Sequence, residues 1–315
     1  MQLSKELNSK IESLISGVSM RDIYDSRKEL TEIYRAGGSK NFNLTLRHRL
    51  AYLIARFPAT YAVVCQVFAE LKRRCGDLGP STLLDIGAGP GTVLLAARQA
   101  ALPITSATLI EKEPGFIQIG KELSDGTIDH DWLCRDIVKE SNFTSHDLVV
   151  ASYSLGELTE KDRSHVLIKL WQLTKKILII IEPGTQAGFE SLIRMREILL
   201  LHSGHLVAPC PHAEKCPMQE NDWCHFSARI ERSSLHRKIK EATLNYEDEK
   251  YCYVIFSKNK VEPCQSRVVR HPYKGAGFIK LQLCSSHHLE EKTITKKNKS
   301  QFSQARKLNW GDELK

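Results

Sequence analysis

The sequence predicts an α/β protein built on a doubly wound, mostly parallel sheet. Three observations predict it. Residues 83–93, Leu-Leu-Asp-Ile-Gly-Ala-Gly-Pro-Gly-Thr-Val, read as a strand end, a glycine turn and a helix start. From there to residue 182, apolar strand-like runs alternate with helix-length stretches, the pattern of consecutive βα units. Acidic residues Asp85, Glu111 and Asp136 fall at or near the ends of the first three strands, where open α/β sheets take their ligands.

The elements follow in order. Residues 1–78 read as a helical region, with Leu3, Leu7, Ile11, Leu14 and Ile15 at helical spacing. A break is expected at 36–40, a second helix over 44–56, and an interruption at Pro58 before the helix resumes at 60–71. After the glycine turn, residues 107–112 form the second strand and 116–123 a helix. Residues 131–136 end the third strand and 146–152 form the fourth. A helix over 163–174 precedes the fifth strand, 176–182, which is apolar like a central parallel strand. Residues 250–256 then read as an antiparallel edge strand. The expected organisation is a helical region over 1–78, a ligand-binding domain over 79–257 with a cysteine-rich insert at 208–228, and a basic, β-rich appendage over 258–315.

The glycines at 87, 89 and 91 give G-x-G-x-G, whereas the dinucleotide fingerprint is G-x-G-x-x-G, so a dehydrogenase is disfavoured. The turn with Asp85 before it resembles the first motif of class I methyltransferases, which bind S-adenosylmethionine. A carboxylate suits a sulfonium ligand with a free ammonium and would repel a pyrophosphate. The expected cofactor-binding residues are Asp85, Gly87, Gly89, Gly91, Glu111 for the ribose, and Asp136 near the adenine. A tight turn without ligand is the structural alternative.

Transfer chemistry is less legible. After strand four stands Ala-Ser-Tyr-Ser-Leu-Gly-Glu-Leu (151–158) instead of an Asn/Asp-Pro-Pro-Tyr-like amine clamp. Tyr153 is a candidate to stack a base and Glu157 to accept a proton. The alternative is structural, with Ser152 capping a helix and Glu157 binding a backbone N–H. Cofactor binding is therefore better supported than turnover.

Composition narrows the partners. The chain has 45 Lys and Arg against 37 Asp and Glu, a net charge of +8. Residues 257–315 hold thirteen basic and five acidic residues, and residues 1–256 hold thirty-two of each, so the whole excess lies at the C-terminal end. That asymmetry points to an anionic partner, nucleic acid above all, with a solvated tail as the alternative. No apolar run approaches the ~20 residues of a membrane span. The N-terminal residues show neither an apolar signal core nor an arginine before Arg21, which predicts a cytoplasmic protein without membrane association. A monomer is expected.

Nine cysteines, an odd number without an export signal, argue against a disulfide framework. Cys65 and Cys134 read as buried or incidental thiols. Cys210, Cys216 and Cys224 make C-x5-C-x7-C on a proline-stiffened loop and can converge on one centre. Thiolate ligation suits zinc or an iron–sulfur cluster. Cys284, Cys264, Cys252, His212 and His225 are candidates for the fourth ligand.

Several stretches together resemble the methyltransferase-like assembly factors of the small ribosomal subunit, a family with mitochondrial and bacterial-type members. They are Ala-Arg-Phe-Pro-Ala-Thr-Tyr-Ala (55–62), Leu-Asp-Ile-Gly-Ala-Gly-Pro-Gly-Thr (84–92), Ser-Tyr-Ser-Leu-Gly-Glu-Leu (152–158) and Glu-Pro-Gly-Thr (182–185). Cys-Pro-His (210–212), Cys216 with Pro217, Trp-Cys-His-Phe (223–226), Tyr-Glu-Asp-Glu-Lys (246–250) and the closing segments 305–307 and 310–312 continue the match. The resemblance implies S-adenosylmethionine binding, a four-cysteine [4Fe–4S] cluster and a role in maturing small-subunit ribosomal RNA and in translation, with methylation of that RNA left open. By the same resemblance the cluster ligands are Cys210, Cys216, Cys224 and a late cysteine, and Cys284, at the end of a strand-like run over 277–283, fits best. The alternative is a zinc-dependent RNA-binding assembly module without methyl transfer.

Overall fold

The computed structural model describes residues 1–35, 43–140, 142–218, 221–286 and 288–314. The break expected at 36–40 lies outside them. The chain opens with four helices, α1 (Lys5–Ile15), α2 (Met20–Arg35), α3 (Leu46–Ala55) and α4 (Phe57–Cys75). Pro58 falls in the first turn of α4, where a missing N–H costs nothing, so the expected interruption is a helix junction at Arg56. α4 is buried on nearly every side and shares one core with α5 (Thr92–Gln99).

The alternation then follows: β1 (Thr82–Ile86), α5, β2 (Ser106–Glu111), α6 (Pro114–Ser124), β3 (Asp129–Cys134), β4 (His146–Ser152), α7 (Glu160–Leu173), β5 (Thr174–Pro183) and α8 (Gln186–Leu201). Next come β6 (His205–Ala208), β7 (Phe226–Glu231), α9 (Ser234–Lys240) and β8 (Tyr246–Ser257). The sheet order is β3-β2-β1-β4-β5-β8-β6, with β7 also on β8. β1 to β5 pair in parallel. This is the doubly wound class I methyltransferase arrangement that the glycine turn and the alternation predict. One core lies between the sheet and helices α1 to α6, the other between the sheet and α7 and α8.

β8 corrects one expectation. It is antiparallel but interior: β5 pairs with residues 251–257 on one side, while β6 pairs with 255–257 and β7 with 246–251 on the other. Residues 251 to 257 are all buried, which an edge strand does not require. The insert between β6 and β7 therefore leaves the sheet beside Cys252 and Val254.

A second, four-stranded sheet holds β9 (Ser266–Val268), β10 (Tyr273–Lys274), β11 (Phe278–Ser285) and β12 (His288–Thr295). Alternate residues Ile279, Leu281 and Leu283 face its small core with Val268, Ile294, Leu314 and Ala305 of α10 (Lys299–Ala305). Among the described residues no single helix is long and apolar enough to cross a membrane.

Candidate functional site

The glycine turn lies at the carboxyl ends of β1 and β2, beside the segment that follows β4. Gly87, Gly89 and Gly91 all have positive φ, 68°, 54° and 83°, which is why this turn takes glycine. At Gly87 there is a second reason: a Cβ would lie 2.6 Å from the Ser154 Cβ, so the segment after β4 lies directly against the turn. Glu111 is buried and holds the turn from the next strand. One carboxylate oxygen accepts the Gly89 N–H at 2.8 Å, the other the Glu113 N–H at 2.9 Å. Carboxylate oxygens carry further acceptor sites, so Glu111 can fix the turn and still receive a ligand hydroxyl.

Asp85 is 1% exposed, and its Oδ2 has no hydrogen-bond partner among the described residues. Burial, with Glu111 nearby, pushes its carboxyl well above the ordinary range. A buried carboxylate oxygen left unsatisfied is costly, and a cationic ligand would relieve it. Asp136 lies two residues beyond β3. It is half-buried and accepts the Val138 N–H at 3.0 Å, with Lys139 at 3.8 Å. Its side chain is partly engaged in a turn.

Tyr153 and Glu157 diverge. Tyr153 has φ 57°, its N–H donates to the Ile181 carbonyl, and its hydroxyl is buried near Arg56 and Glu249. Glu157 is exposed. The group between them that sequence reasoning missed is Glu182, at the end of β5, 1% exposed and accepting the Gly156 N–H at 3.0 Å. Burial raises its carboxyl to about 7. The sequence signals were its place at a strand end and the Glu-Pro-Gly-Thr stretch that it opens. Because the folded state favours the protonated form, its contribution to stability is complete below about 4.5 and is lost as pH rises through about 7. Glu182→Gln is therefore expected to gain roughly 2–4 kcal/mol over the wild type between pH 5 and pH 8. Denaturant midpoints at the two pH values check this, and a pH-independent difference would refute it.

The thiols of Cys210, Cys216, Cys224 and Cys284 line one cavity with Cys252 and His212, walled by Phe189, Leu192, Ile193, Met218 and Val254. Burial pushes all four thiols up, Cys284 to about 12, and for Cys224 the other three add to the shift. The Cys284 Sγ lies 3.7 Å from the His212 Nε2. Cys264 does not line the cavity; its thiol donates to the carbonyl of Pro209, which does. Among the described residues no three His, Cys, Asp or Glu side chains close to single-ion distance. The donors thus share a cavity without converging on one point. Four soft sulfur donors in apolar walls fit a cluster in their chemistry.

Two buried arginines brace this region, and neither was expected from sequence. Arg196 of α8 donates to the His212 and Glu214 carbonyls, at 3.0 and 2.8 Å, from inside the insert. Arg267 of β9 donates to the Pro209 and Gly311 carbonyls and pairs with Glu70 of α4 at 2.7 Å. Trp223 donates its indole N–H to the Gly184 carbonyl.

Comparison with known proteins gives the lineage. Residues 47–315 match the family described as mitochondrial small ribosomal subunit Rsm22. The human ribosome assembly protein METTL17, mitochondrial, is 29% identical over 290 residues, covering 84% of this chain and 62% of that protein. The Rsm22-cox11 tandem protein 2, mitochondrial, of Schizosaccharomyces pombe is 24% identical over 366 aligned positions, covering 98% of this chain and 48% of that protein. The chain thus spans about half to three-fifths of the length of these relatives. Solved structures that superpose on it include magnesium protoporphyrin IX methyltransferase from Synechocystis PCC 6803 with bound SAH. It shows 12% identity and a TM-score of 0.44, covering 74% of this chain and 100% of that one. The N-methyltransferase NodS from Bradyrhizobium japonicum WM9 gives 14% identity and a TM-score of 0.43, covering 72% and 96%.

These relatives overturn the expectation of a cytoplasmic protein, for they are named as mitochondrial. The expectation rested on the composition of the first residues. Compartment is an address read by receptors and not a property of the fold.

Proposed function

The chain belongs to the mitochondrial small ribosomal subunit Rsm22 family, and on that premise we propose that it is an S-adenosylmethionine-binding assembly protein of the mitochondrial small subunit. Its glycine turn takes the cofactor, its four cysteines take a [4Fe–4S] cluster, and its basic C-terminal segment takes small-subunit ribosomal RNA. The observation that carries the cofactor reading is Asp85, a buried carboxylate with an unpartnered oxygen beside the turn. The ligand's ammonium supplies the missing charge there, and Glu111 faces the ribose. The name of the human relative, a ribosome assembly protein, supports the assembly role.

The cluster, when bound, supplies structural cross-linking between its cysteine-bearing segments. Cys210, Cys216 and Cys224 hold it from the insert and Cys284 from β11, so it fastens the second sheet to the first. Arg196 fixes the insert carbonyls, and the apolar walls keep water from the thiolates. Cys284→Ser is expected to strip the iron and loosen residues 258–315, because metal binding and local folding are coupled. Cys264→Ser is expected to keep the iron, since Cys264 lies outside the cavity. Iron, sulfide and zinc quantification of anaerobically purified protein tests both. One zinc and no iron would replace the cluster with a zinc module, and iron loss in Cys264→Ser alone would move the fourth ligand. Calorimetry with S-adenosylmethionine tests the cofactor, and a methyl-transfer assay on immature small subunits separates a transferase from a binding factor.

A further inference from the structure

The outer face of the second sheet carries two aromatic rings that its core does not use. Ile279, Leu281 and Leu283 point inward, so Phe278, Lys280 and Gln282 point outward. Tyr273 pairs with Lys280 across the ladder and shares that face. The Tyr273 and Phe278 rings lie 5.8 Å apart at 35°, and Tyr273 is 63% exposed. An exposed tyrosine of this size on a small sheet costs solvation and contributes nothing to the core.

The hairpin between them is built to hold the pair in place. The Gly275 N–H donates to the Phe278 carbonyl at 2.9 Å, and a Cβ on Gly275 would lie 2.7 Å from the Phe278 ring, so glycine lets the backbone back that ring. Basic residues adjoin it along the chain. The Lys296 N–H donates to the Gly277 carbonyl, which brings the 296–299 lysine run beside the turn. The Lys274 ammonium donates to the Arg306 carbonyl. Lys280 is paired with Glu291 at 3.1 Å and is correspondingly less available.

We infer that Tyr273 and Phe278 form a stacking platform for the bases of single-stranded RNA, with the adjoining lysines taking its phosphates. Flat aromatic surfaces on a sheet reach unstacked bases, whereas the bases of an A-form duplex are closed to them. The charge complementarity commits the site to a polyanion, and the rings select for its single-stranded form. The inference rests on the RNA-binding reading above and goes beyond it in naming the strand state and the residues that read it.

The test uses the full chain and two labelled probes, an oligouridine of about twelve nucleotides and an RNA duplex of similar length, followed by fluorescence anisotropy. Tyr273→Leu with Phe278→Leu is expected to weaken the single strand by about 5- to 100-fold and to change the duplex by less than about twofold. Tyr273→Trp is expected to retain single-strand affinity. Replacing Lys296, Lys297 and Lys299 with Ala is expected to weaken both probes and to flatten the log–log salt slope by about 0.7 per lost single-strand contact. Equal losses on both probes in the aromatic variant would overturn the stacking platform and leave RNA binding standing. Failure of the wild type to bind either probe would overturn both. Should the double variant fail to fold, Tyr273→Leu alone, at an exposed position, decides the matter.

Discussion

Arg267→Met should destabilise the protein by about 3–5 kcal/mol, because it leaves Glu70 buried and ionised without its partner. Arg267 is 1% exposed and Glu70 3%. Glu70 is also met by Arg73 and, at 3.5 Å, Arg74. Those contacts come from its own helix, and Arg73 is largely exposed. Arg267 joins α4 to the Pro209 carbonyl at the head of the cysteine insert and to the Gly311 carbonyl near the end of the described chain, a segment that Arg74 of α4 also reaches through Glu313. Its loss removes three interactions, with three segments, at once. Burial pushes the Glu70 carboxyl up, and Arg267, more than Arg73 or Arg74, holds it below its ordinary range, so in the variant the carboxyl shifts upward and the deficit is expected to shrink as pH falls. Urea unfolding of the variant measures the loss, with Lys280→Met as an exposed control expected to change stability by less than about 0.5 kcal/mol. A loss under about 1 kcal/mol for Arg267→Met would mean that the pair is solvated. Replacing both partners with apolar residues of similar volume should recover much of the deficit, as buried ion pairs commonly allow.

The second large effect concerns the crevice. Glu111→Ala should weaken S-adenosylmethionine binding by about 10- to 100-fold, since hydrogen bonds to a charged group contribute roughly 1.5–3 kcal/mol. The loss has two sources here. On the proposed cofactor reading the ribose hydroxyls lose their acceptor, and the Gly89 and Glu113 N–H groups lose theirs, so the turn itself relaxes. Asp85→Asn separates affinity from stability. Its carboxyl is raised by burial, so above the unfolded-state value the charge costs folding energy. The variant should therefore be more stable than the wild type without ligand at pH 7 and bind S-adenosylmethionine more weakly. Thermal midpoints with and without ligand read both signs together. A ligand-free variant less stable than the wild type would show that Asp85 is satisfied in the fold.

How much of this was legible beforehand depended on whether a residue's role was local. The glycine turn, Asp85 and Glu111 were legible because positive φ and a strand end are properties of a short segment. The cysteine triad was legible for the same reason, and Cys284 only through its strand and the family resemblance. Arg267 was not. In a basic, β-rich segment it reads like its solvated neighbours, and its partner Glu70 lies 197 residues away. Arg196 drew no reading from sequence, yet it is fully buried, its guanidinium met by two carbonyls of the insert. Asp136 was expected at the ligand, but its own turn claims one oxygen. β8 was placed at the sheet edge because sequence shows a strand's apolarity and not its neighbours.

The position of β8 also sets an order of events. Among the described residues β6 and β7 pair with no strand except β8, and both precede it in the chain. As the polypeptide emerges from its N-terminal end, β1 to β5 can associate in turn, leaving the flank of β5 open. β6, the cysteine loop and β7 must then wait, because the strand that receives them has yet to be made. During that interval β5, apolar from Ile177 to Ile181, presents an unpaired edge, the kind of surface that invites pairing with other chains. Arrival of residues 246–257 closes the edge, seats both waiting strands and brings the first three cysteines to their places in one step. Assembly of the four-thiol cavity is thus a late event in the life of the chain, and any delay before β8 lengthens the period in which the molecule needs protection from its own kind.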